Sequence, residues 1–321
     1  MRNDGWVVTD GAAGNENQAL ALARALGIEP SVFRLDARVP WHWFAPHLTA
    51  GAKFAFGTEF ARCMRDGLPV LAIGCGRQGA LATRLLKQRG GNSVRVVQIL
   101  DPRVDRTTFD AIVVPEHDGV HGDNVLVTRG ALNAVDDEWL AQARSRWPTL
   151  CALPGPRTLL LLGGPNHALS MNGAYWSGLL TQLKTLRAHD GGGTLLVSSS
   201  RRTPDRLRDA ARADLAAWPS VQWHGDHDGP NPYAGLLAAA HRIVVTPDSV
   251  NMLSEACATR VPVFVHRPTP LRGKIGAFVE RLVADGRVHV LGASWPGQEP
   301  IEPLRETARV AAEIARRFAL A

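Results

Sequence analysis

The chain has 321 residues, 36 lysines and arginines against 30 aspartates and glutamates, and a formal net charge of +6. An apolar fraction of 45% lets each of two ordinary domains bury a full core, and no apolar run approaches the roughly 18–20 residues of a membrane span. The four cysteines, Cys63, Cys75, Cys151 and Cys257, are scattered, which excludes a CxxC zinc site or a disulfide scaffold. The basic balance favours anionic partners such as sugar nucleotides or phospholipid head groups. A genome that writes arginine for lysine gives the same surplus, since only Lys53, Lys87, Lys184 and Lys274 are lysines.

The first strand is predicted at Trp6–Thr9, with no charged and apolar leader before it, so a cytoplasmic location is expected. It runs into Asp10-Gly11-Ala12-Ala13-Gly14-Asn15 and a helix over Glu16–Leu26. Glycines here permit a sharp turn and let a substrate approach the helix N-terminus, where free N–H groups favour anions. The spacing is not GxGxxG, and no acidic residue closes the second strand, so a nicotinamide dinucleotide is not expected. Asp10 stands at the strand end as a candidate base.

The segment Pro40–Arg65 carries Trp41, Trp43, Phe44, Phe54, Phe56 and Phe60 interleaved with His42, His47, Lys53, Arg62 and Arg65. Aromatic and basic residues together suit a membrane interface, and peripheral contact with the inner face of the cytoplasmic membrane is expected through residues 40–65. An ordinary helix pair covering the sheet is the competing reading. Stacking plus arginine is also nucleic-acid chemistry, but nucleic acid is not the expected partner.

Strands follow at Val70–Gly74, Val94–Leu100, Ala111–Pro115 and Asn124–Thr128, with a helix over Gln78–Arg89. Their ends carry Gly74-Cys75-Gly76-Arg77, Asp101-Pro102-Arg103 and Glu116-His117-Asp118. His117 lies beside two acids that would poise it near neutrality, or it packs as a loop histidine against the sheet edge. Asp10, His117 and Asp118 are the catalytic candidates, with Glu116 a further base.

Pro148 and Pro154-Gly155-Pro156 read as the division between an N-terminal domain, 1–150, and a second one, 151–300. A second series of strands follows at Thr158–Leu162, Thr194–Ser198, Val221–His224, Arg242–Thr246, Val261–His266 and Val288–Leu291. Helices are predicted at Gly173–Arg187, Pro204–Trp218, Pro232–Ala240, Val250–Thr259 and Ile275–Asp285. Continuous Val/Ile/Leu strands alternating with helices imply right-handed βαβ units and parallel sheets covered on both faces. The fold class is α/β, two doubly wound Rossmann-like domains facing a central cleft. Ligands of such sheets bind beyond the carboxyl ends of the strands.

Three strand ends of the second series suit a diphosphate. Gly163-Gly164 closes the first, and Ser199 with Arg201 or Arg202 closes the second. The third segment runs from Asn231-Pro232-Tyr233 through a helix and strand to Asp248-Ser249-Val250-Asn251 and on to Glu255. Asp248 or Ser249 can cap the next helix and leave its first amides for the diphosphate, while Glu255 accepts both hydroxyls of a ribose. The plain alternative is an N-capped helix with a surface glutamate.

Here the chain is similar to the C-terminal half of GT-B glycosyltransferases, where a strand, a small-residue turn, a glutamate-bearing helix and a Val-Pro-Val-like strand form the donor site. As a whole it resembles the mitochondrial-fission elongated-mitochondria-type family over roughly residues 5–290. The carrying residues are Thr9-Asp10-Gly11 with Gly14 and Gln18, Gly74-Cys75-Gly76-Arg77, Leu100-Asp101-Pro102-Arg103, Pro115-Glu116-His117-Asp118, Asn124-Val125, Gly163-Gly164, Asn231-Pro232-Tyr233, Val245 through Glu255, and Lys274 with Phe278. Arg260 departs from an expected glycine and His241 from a common aspartate. The resemblance implies a GT-B fold, a helix over about Glu302–Phe318 that returns to the first domain, and metal-independent chemistry. No DxD motif has a clear strand-end setting, and neither cofactor nor metal is expected. That helix's stripe is Leu304, Ala308, Ala311, Ala312, Ala315 and Phe318.

The leading expectation is a glycosyltransferase-like enzyme. It would hold a nucleotide-diphosphate sugar on Gly163, Gly164, Ser199, Arg201, Asn231, Tyr233, Asp248, Ser249, Asn251 and Glu255, and an envelope or lipid-linked acceptor on the first domain. An epimerase or hydrolase of the nucleotide sugar, or a non-catalytic membrane- or partner-binding scaffold, are the alternatives.

Overall fold

A computed structural model describes residues 5–292, 295 and 301–319. It divides into two compact units, residues 1–134 with 305–321, and residues 135–304.

The first unit holds β1 (Gly5–Thr9), β2 (Ser31–Arg34), β3 (Leu71–Cys75), β4 (Arg95–Ile99), β5 (Ala111–Pro115) and β6 (Val125–Thr128) in one sheet of order β2-β1-β3-β4-β5-β6. Every pairing in it is parallel. The second holds β7 (Arg157–Leu162), β8 (Thr194–Ser199), β9 (Ser220–Trp223), β10 (Arg242–Val245), β11 (Val263–Val265) and β12 (His289–Val290). Its order, β12-β11-β10-β7-β8-β9, is again all parallel. Strand order reverses between β1 and β3 in the first unit and between β7 and β10 in the second. At such a switch point the two flanking crossovers leave on opposite faces and open a crevice beyond the strand ends.

Both faces of each sheet are buried, because successive strand residues point to opposite sides. In the second unit Leu159, Leu161, Ile243 and Val245 pack with Leu236, Leu253 and Phe278 on one face. Leu160, Leu162, Val197 and Val244 pack with Tyr175, Leu179 and Leu183 on the other. This double burial explains the continuous apolar runs.

The boundary after residue 134 lies upstream of the proline-rich stretch, so the expected division at 150 is corrected. Pro148 opens a short helix, Pro148–Cys151, in the position where its missing N–H costs nothing. The preceding helix, Asp137–Arg146, buries Leu140 and Ala143 among Leu159, Leu236 and Ile243. Its Arg144 donates to the Ala238 carbonyl at 3.2 Å. Those contacts bind it to the second unit.

The helix Glu306–Phe318 packs in the first unit, with Val310, Ala311 and Ile314 in the cluster of Val7, Leu22 and Ile73. Its buried stripe is Thr307, Val310, Ala311 and Ile314, not the expected alanine-rich one. Val310 and Ile314 carry more apolar area than the alanines beside them, and they set the helix rotation. Leu304 stays in the core of the second unit. Thr307 Oγ1 donates to the Asn133 carbonyl at 2.7 Å and accepts the Asn133 N–H at 3.0 Å.

Candidate functional site

The β7/β10 switch point of the second unit gathers most of the sequence candidates. Thr246 and Asp248 follow β10, and Gly163 and Gly164 follow β7. The Gly163 N–H donates to Thr246 Oγ1 at 2.7 Å, and the Thr246 hydroxyl donates to Asp248 Oδ1 at 2.7 Å. The Gly164 N–H donates to Asp248 Oδ2 at 3.0 Å, and Arg202, after β8, pairs with the same oxygen at 2.6 Å. Asn166 adds a bond to the Asp248 carbonyl at 3.1 Å. Burial raises the Asp248 pKa, opposed by the donors of Gly164 and Thr246 and by the Arg202 charge.

The carboxylate of Asp248 thus ties three strand ends together from within. The amides of Gly163 and Gly164, expected to hold phosphate, are spent on that knot, and the glycines act by having no side chain. A Cβ on Gly163 would lie 2.0 Å from Asp248 Oδ1, and one on Gly164 2.3 Å from the Arg202 carbonyl oxygen. Arg201 is exposed, and Arg202 is the arginine that closes the knot.

The helix after β10 runs Val250–Cys257, and Ser249 caps it by accepting the Met252 N–H at 3.4 Å. The amides of Val250 and Asn251 precede the first intrahelical acceptor and point out of the helix at the switch point. Asn251 is half-buried in that first turn. Glu255 sits in the second turn, where the Tyr233 hydroxyl donates to its Oε2 at 2.5 Å. Tyr233 opens the helix Tyr233–Ala239, and Asn231 fixes that start by accepting the Tyr233 N–H at 2.9 Å. Burial pushes the Glu255 carboxyl up to about 7, and the Tyr233 bond opposes the shift. The two motifs that the sequence offered separately therefore converge on one carboxylate.

Ser199 ends β8 with its hydroxyl 2.7 Å from His224 Nδ1, and His224 Nε2 lies 3.0 Å from Gln222 Oε1. A proton on Nε2 satisfies Gln222, so Nδ1 accepts from Ser199, and the serine faces the core. The DxD sequence Asp226-His227-Asp228 lies in a 3-10 turn beyond β9. Its Asp228 carboxylate is taken by the His224 N–H at 2.7 Å and by Arg212 at 2.9 Å.

Burial first, and the Arg212 charge second, lower the His224 pKa from 6.5 to about 4. With the folded value below the unfolded one, the stability from neutral His224 is present above about pH 6.5 and is lost as pH falls through 4. His224→Gln is expected to flatten the loss of melting temperature across that window relative to the parent chain. Parallel melting profiles for the two proteins would refute this.

In the first unit Asp10 leaves β1 at the β1/β3 switch point. Its carboxylate accepts Asn15 Nδ2 at 3.1 Å and the Ala12 N–H at 3.0 Å, which fixes the turn into the helix Ala13–Ala25. Gly76, after β3, has φ +76°, and a Cβ there would lie 2.7 Å from Asn15 Nδ2. His117 and Asp118 occupy a 3-10 turn, Glu116–Asp118, after β5. The sheet order puts β3 and β4 between β1 and β5. The two groups of candidates are therefore three strand spacings apart, about 14 Å, and do not form one acid–base pair.

Arg77 is turned to the 40–65 segment, donating to the carbonyls of Ala45 at 3.0 Å and Trp43 at 3.1 Å. Asp101 accepts the Arg103 N–H at 3.1 Å, closing a local turn. The two departures from family pattern are absorbed locally. Arg260 pairs with Asp137 at 2.9 Å, and His241 Nδ1 accepts the Arg157 N–H at 3.0 Å.

The chain matches the family described as "Mitochondrial fission ELM1" over residues 13–318. It is 31% identical to mitochondrial fission protein ELM1 of Arabidopsis thaliana over 288 residues, 79% of this chain and 65% of that protein. The chain therefore spans slightly less than two thirds of that relative's length. Among solved structures it is similar to UDP-GlcNAc 2-epimerase from Methanocaldococcus jannaschii, at 14% identity and TM-score 0.64 over 99% of this chain and 100% of that one. The same epimerase in complex with UDP-GlcNAc and UDP superposes at 14% identity and TM-score 0.55, over 98% and 99% of the two chains. MurG from Acinetobacter baumannii is similar at 14% identity and TM-score 0.52, over 98% and 92%. At these identities the likeness is one of fold, and the fold is of the GT-B type.

Proposed function

The chain belongs to the mitochondrial fission ELM1 family, and we propose that it binds a nucleotide-diphosphate sugar at the carboxyl edge of its second sheet. The observation that carries this reading is the Tyr233–Glu255 pair at the β7/β10 switch point. A carboxylate in the second turn of a helix, with that helix's first amides directed beyond the strand ends, suits a ribose and its diphosphate side by side. Glu255 accepts the two ribose hydroxyls. The amides of Val250 and Asn251 receive the diphosphate, and exposed Arg201 adds a mobile positive charge. The knot around Asp248 holds the platform in register. Uridine is the first base to test, because fold neighbours are described with UDP or UDP-GlcNAc.

The proposed reaction is transfer of the sugar to an acceptor, and Asp10 is the base candidate that the first unit offers. Asp10 is exposed at its own switch point and keeps lone pairs beyond those given to Asn15 and Ala12. His117 and Asp118, three strands away, would then touch the acceptor rather than share its proton. An epimerase of the sugar nucleotide is the second reading, favoured by the description of the neighbour at TM-score 0.64.

Calorimetric titration with UDP, GDP, ADP and their common sugars tests the binding claim. Saturable binding of at least one diphosphate is expected, and failure of all of them would overturn it. Product analysis of the bound sugar nucleotide without acceptor separates the two reactions, since an epimerase needs no second substrate.

A further inference from the structure

The segment 39–56 is built inside out. Its small residues Ala45, Ala52 and Ala55 are buried against Leu81 and Leu85 of the helix Gly76–Gly90. Its large ones face solvent: Trp43 is 66% exposed, Phe44 56% and Phe54 60%, with Val39 beside them at 57%. Of the six rings in the region only Phe60 is buried, while Trp41 and Phe56 are half-buried. Exposed large rings are normally scattered singly, and a cluster marks a contact surface.

The backbone beneath these rings is held firmly. Arg77 reaches the carbonyls of Trp43 and Ala45, and Arg84 that of Pro46. Trp41 Nε1 donates to the Ala50 carbonyl at 2.9 Å, and the Arg38 N–H to the Ala55 carbonyl at 2.8 Å. Arginine-to-carbonyl anchors from Arg77 and Arg84, under a loop whose largest rings face solvent, describe a preformed contact that binds with little ordering cost. No carboxylate occurs from residue 37 to 58, whereas Arg38, His42, His47 and Lys53 do, all exposed. Asp36 lies 3.5 Å from His42, at the edge of this stretch. Lys53 lies 5.0 Å above the Phe54 ring, its stem along the apolar surface and its charge at the rim.

We propose that this loop is a docking surface for an anionic lipid bilayer, with Trp43, Phe44 and Phe54 entering the interfacial layer and Lys53 and Arg38 meeting the head groups. Tryptophan and phenylalanine beside lysine on a polar-backed surface is the chemistry of that layer, where an indole is at home half wet and half apolar. A rigid wedge with basic flanks suits it better than a protein groove, which would supply acidic partners of fixed geometry. Among the described residues no helix is long and apolar enough to cross a membrane. The inference goes beyond nucleotide binding, and the nucleotide titration reads out separately from it.

The test is sedimentation of the full chain with vesicles of phosphatidylcholine alone or with about one third phosphatidylglycerol. The chain is expected to sediment with the anionic vesicles and to be released between about 0.1 and 0.5 M salt. The double substitution Trp43→Ser with Phe44→Ser is expected to lower partitioning at least about tenfold with the melting temperature and nucleotide affinity unchanged, since neither ring packs in a core. Lys53→Glu is expected to lower binding to the anionic vesicles alone. Three results would overturn the proposal: no sedimentation of the parent with anionic vesicles, equal sedimentation of the double variant, or a dimer in velocity sedimentation that the double variant abolishes without any vesicle binding. The last would assign the surface to a second copy of the chain.

Discussion

Glu255→Ala is expected to weaken nucleotide-diphosphate binding by about 1–3 kcal/mol, roughly 5- to 150-fold, the scale of losing hydrogen bonds to a charged acceptor. The fold survives, because Glu255 is only half-buried and its hydrogen bond among the described residues is to the Tyr233 hydroxyl. The pH dependence gives a sharper signature. With the carboxyl near 7, only the ionised form accepts two hydroxyls, so affinity falls as pH drops through that value. Glu255→Gln removes this step and leaves only the titration of the phosphate itself. The apo protein shows the opposite sign. A folded pKa raised from 4.5 to about 7 means a contribution to stability that is full below about 4.5 and lost as pH rises through 7. Glu255→Gln should therefore be more stable than the parent at pH 8, by about 1 kcal/mol after allowing for the solvent that still reaches the group, and should melt higher. Isothermal titration from pH 6 to 8 and melting curves over the same range check both. Equal affinities for parent and Gln variant at every pH would remove Glu255 from the site.

Asp248→Ala is expected to destabilise the second unit by about 2–4 kcal/mol. It leaves the buried Gly164 N–H and the Thr246 hydroxyl without their acceptor. Arg202 is half exposed and turns to water, which keeps the cost below that of stranding a fully buried charge. Asp248→Asn retains one acceptor oxygen and should lose about half as much. Chemical denaturation of the three proteins measures this. If the alanine variant unfolds at the parent's midpoint, Asp248 holds nothing together, and the ligand rather than the fold accounts for its place at the strand end. Gly163→Ala should act on the same knot, because its Cβ would meet Asp248.

The strands were legible wherever both faces are covered, since burial on both sides writes an unbroken apolar run. Ala111–Pro115 falls where expected, and β7, β8 and β10 lie within a residue at each end. β2 (Ser31–Arg34) was missed because it is an edge strand whose residues are exposed or half-exposed, so its sequence resembles a loop. The Tyr233–Glu255 pair was half legible: each motif stood out, while their meeting is a long-range contact. The knot around Asp248 was read as ligand chemistry because glycine, threonine and aspartate at strand ends look the same whether they face a phosphate or one another. The β7–β10 adjacency separates the two readings. Likewise Asp10 and His117 stood as separate base candidates, and only the sheet order shows that two strands lie between them. The rotation of the last helix turned on Val310 and Ile314, which the alanine pattern concealed.

The return of Glu306–Phe318 into the core around Val7 and Leu22 has a consequence for how the chain is made. The second unit is an insertion in the first, entered after residue 134 and left at 305. A ribosome therefore releases everything the second unit needs before it releases the helix that completes the first. The half begun earlier must wait longer, with the sheet face that receives Val310 and Ile314 uncovered until that helix emerges. Domains generally complete as their sequence becomes available during synthesis. Here the order of completion inverts the order of translation, and a released chain truncated after residue 304 should present a protease-resistant second unit preceded by an unfinished first.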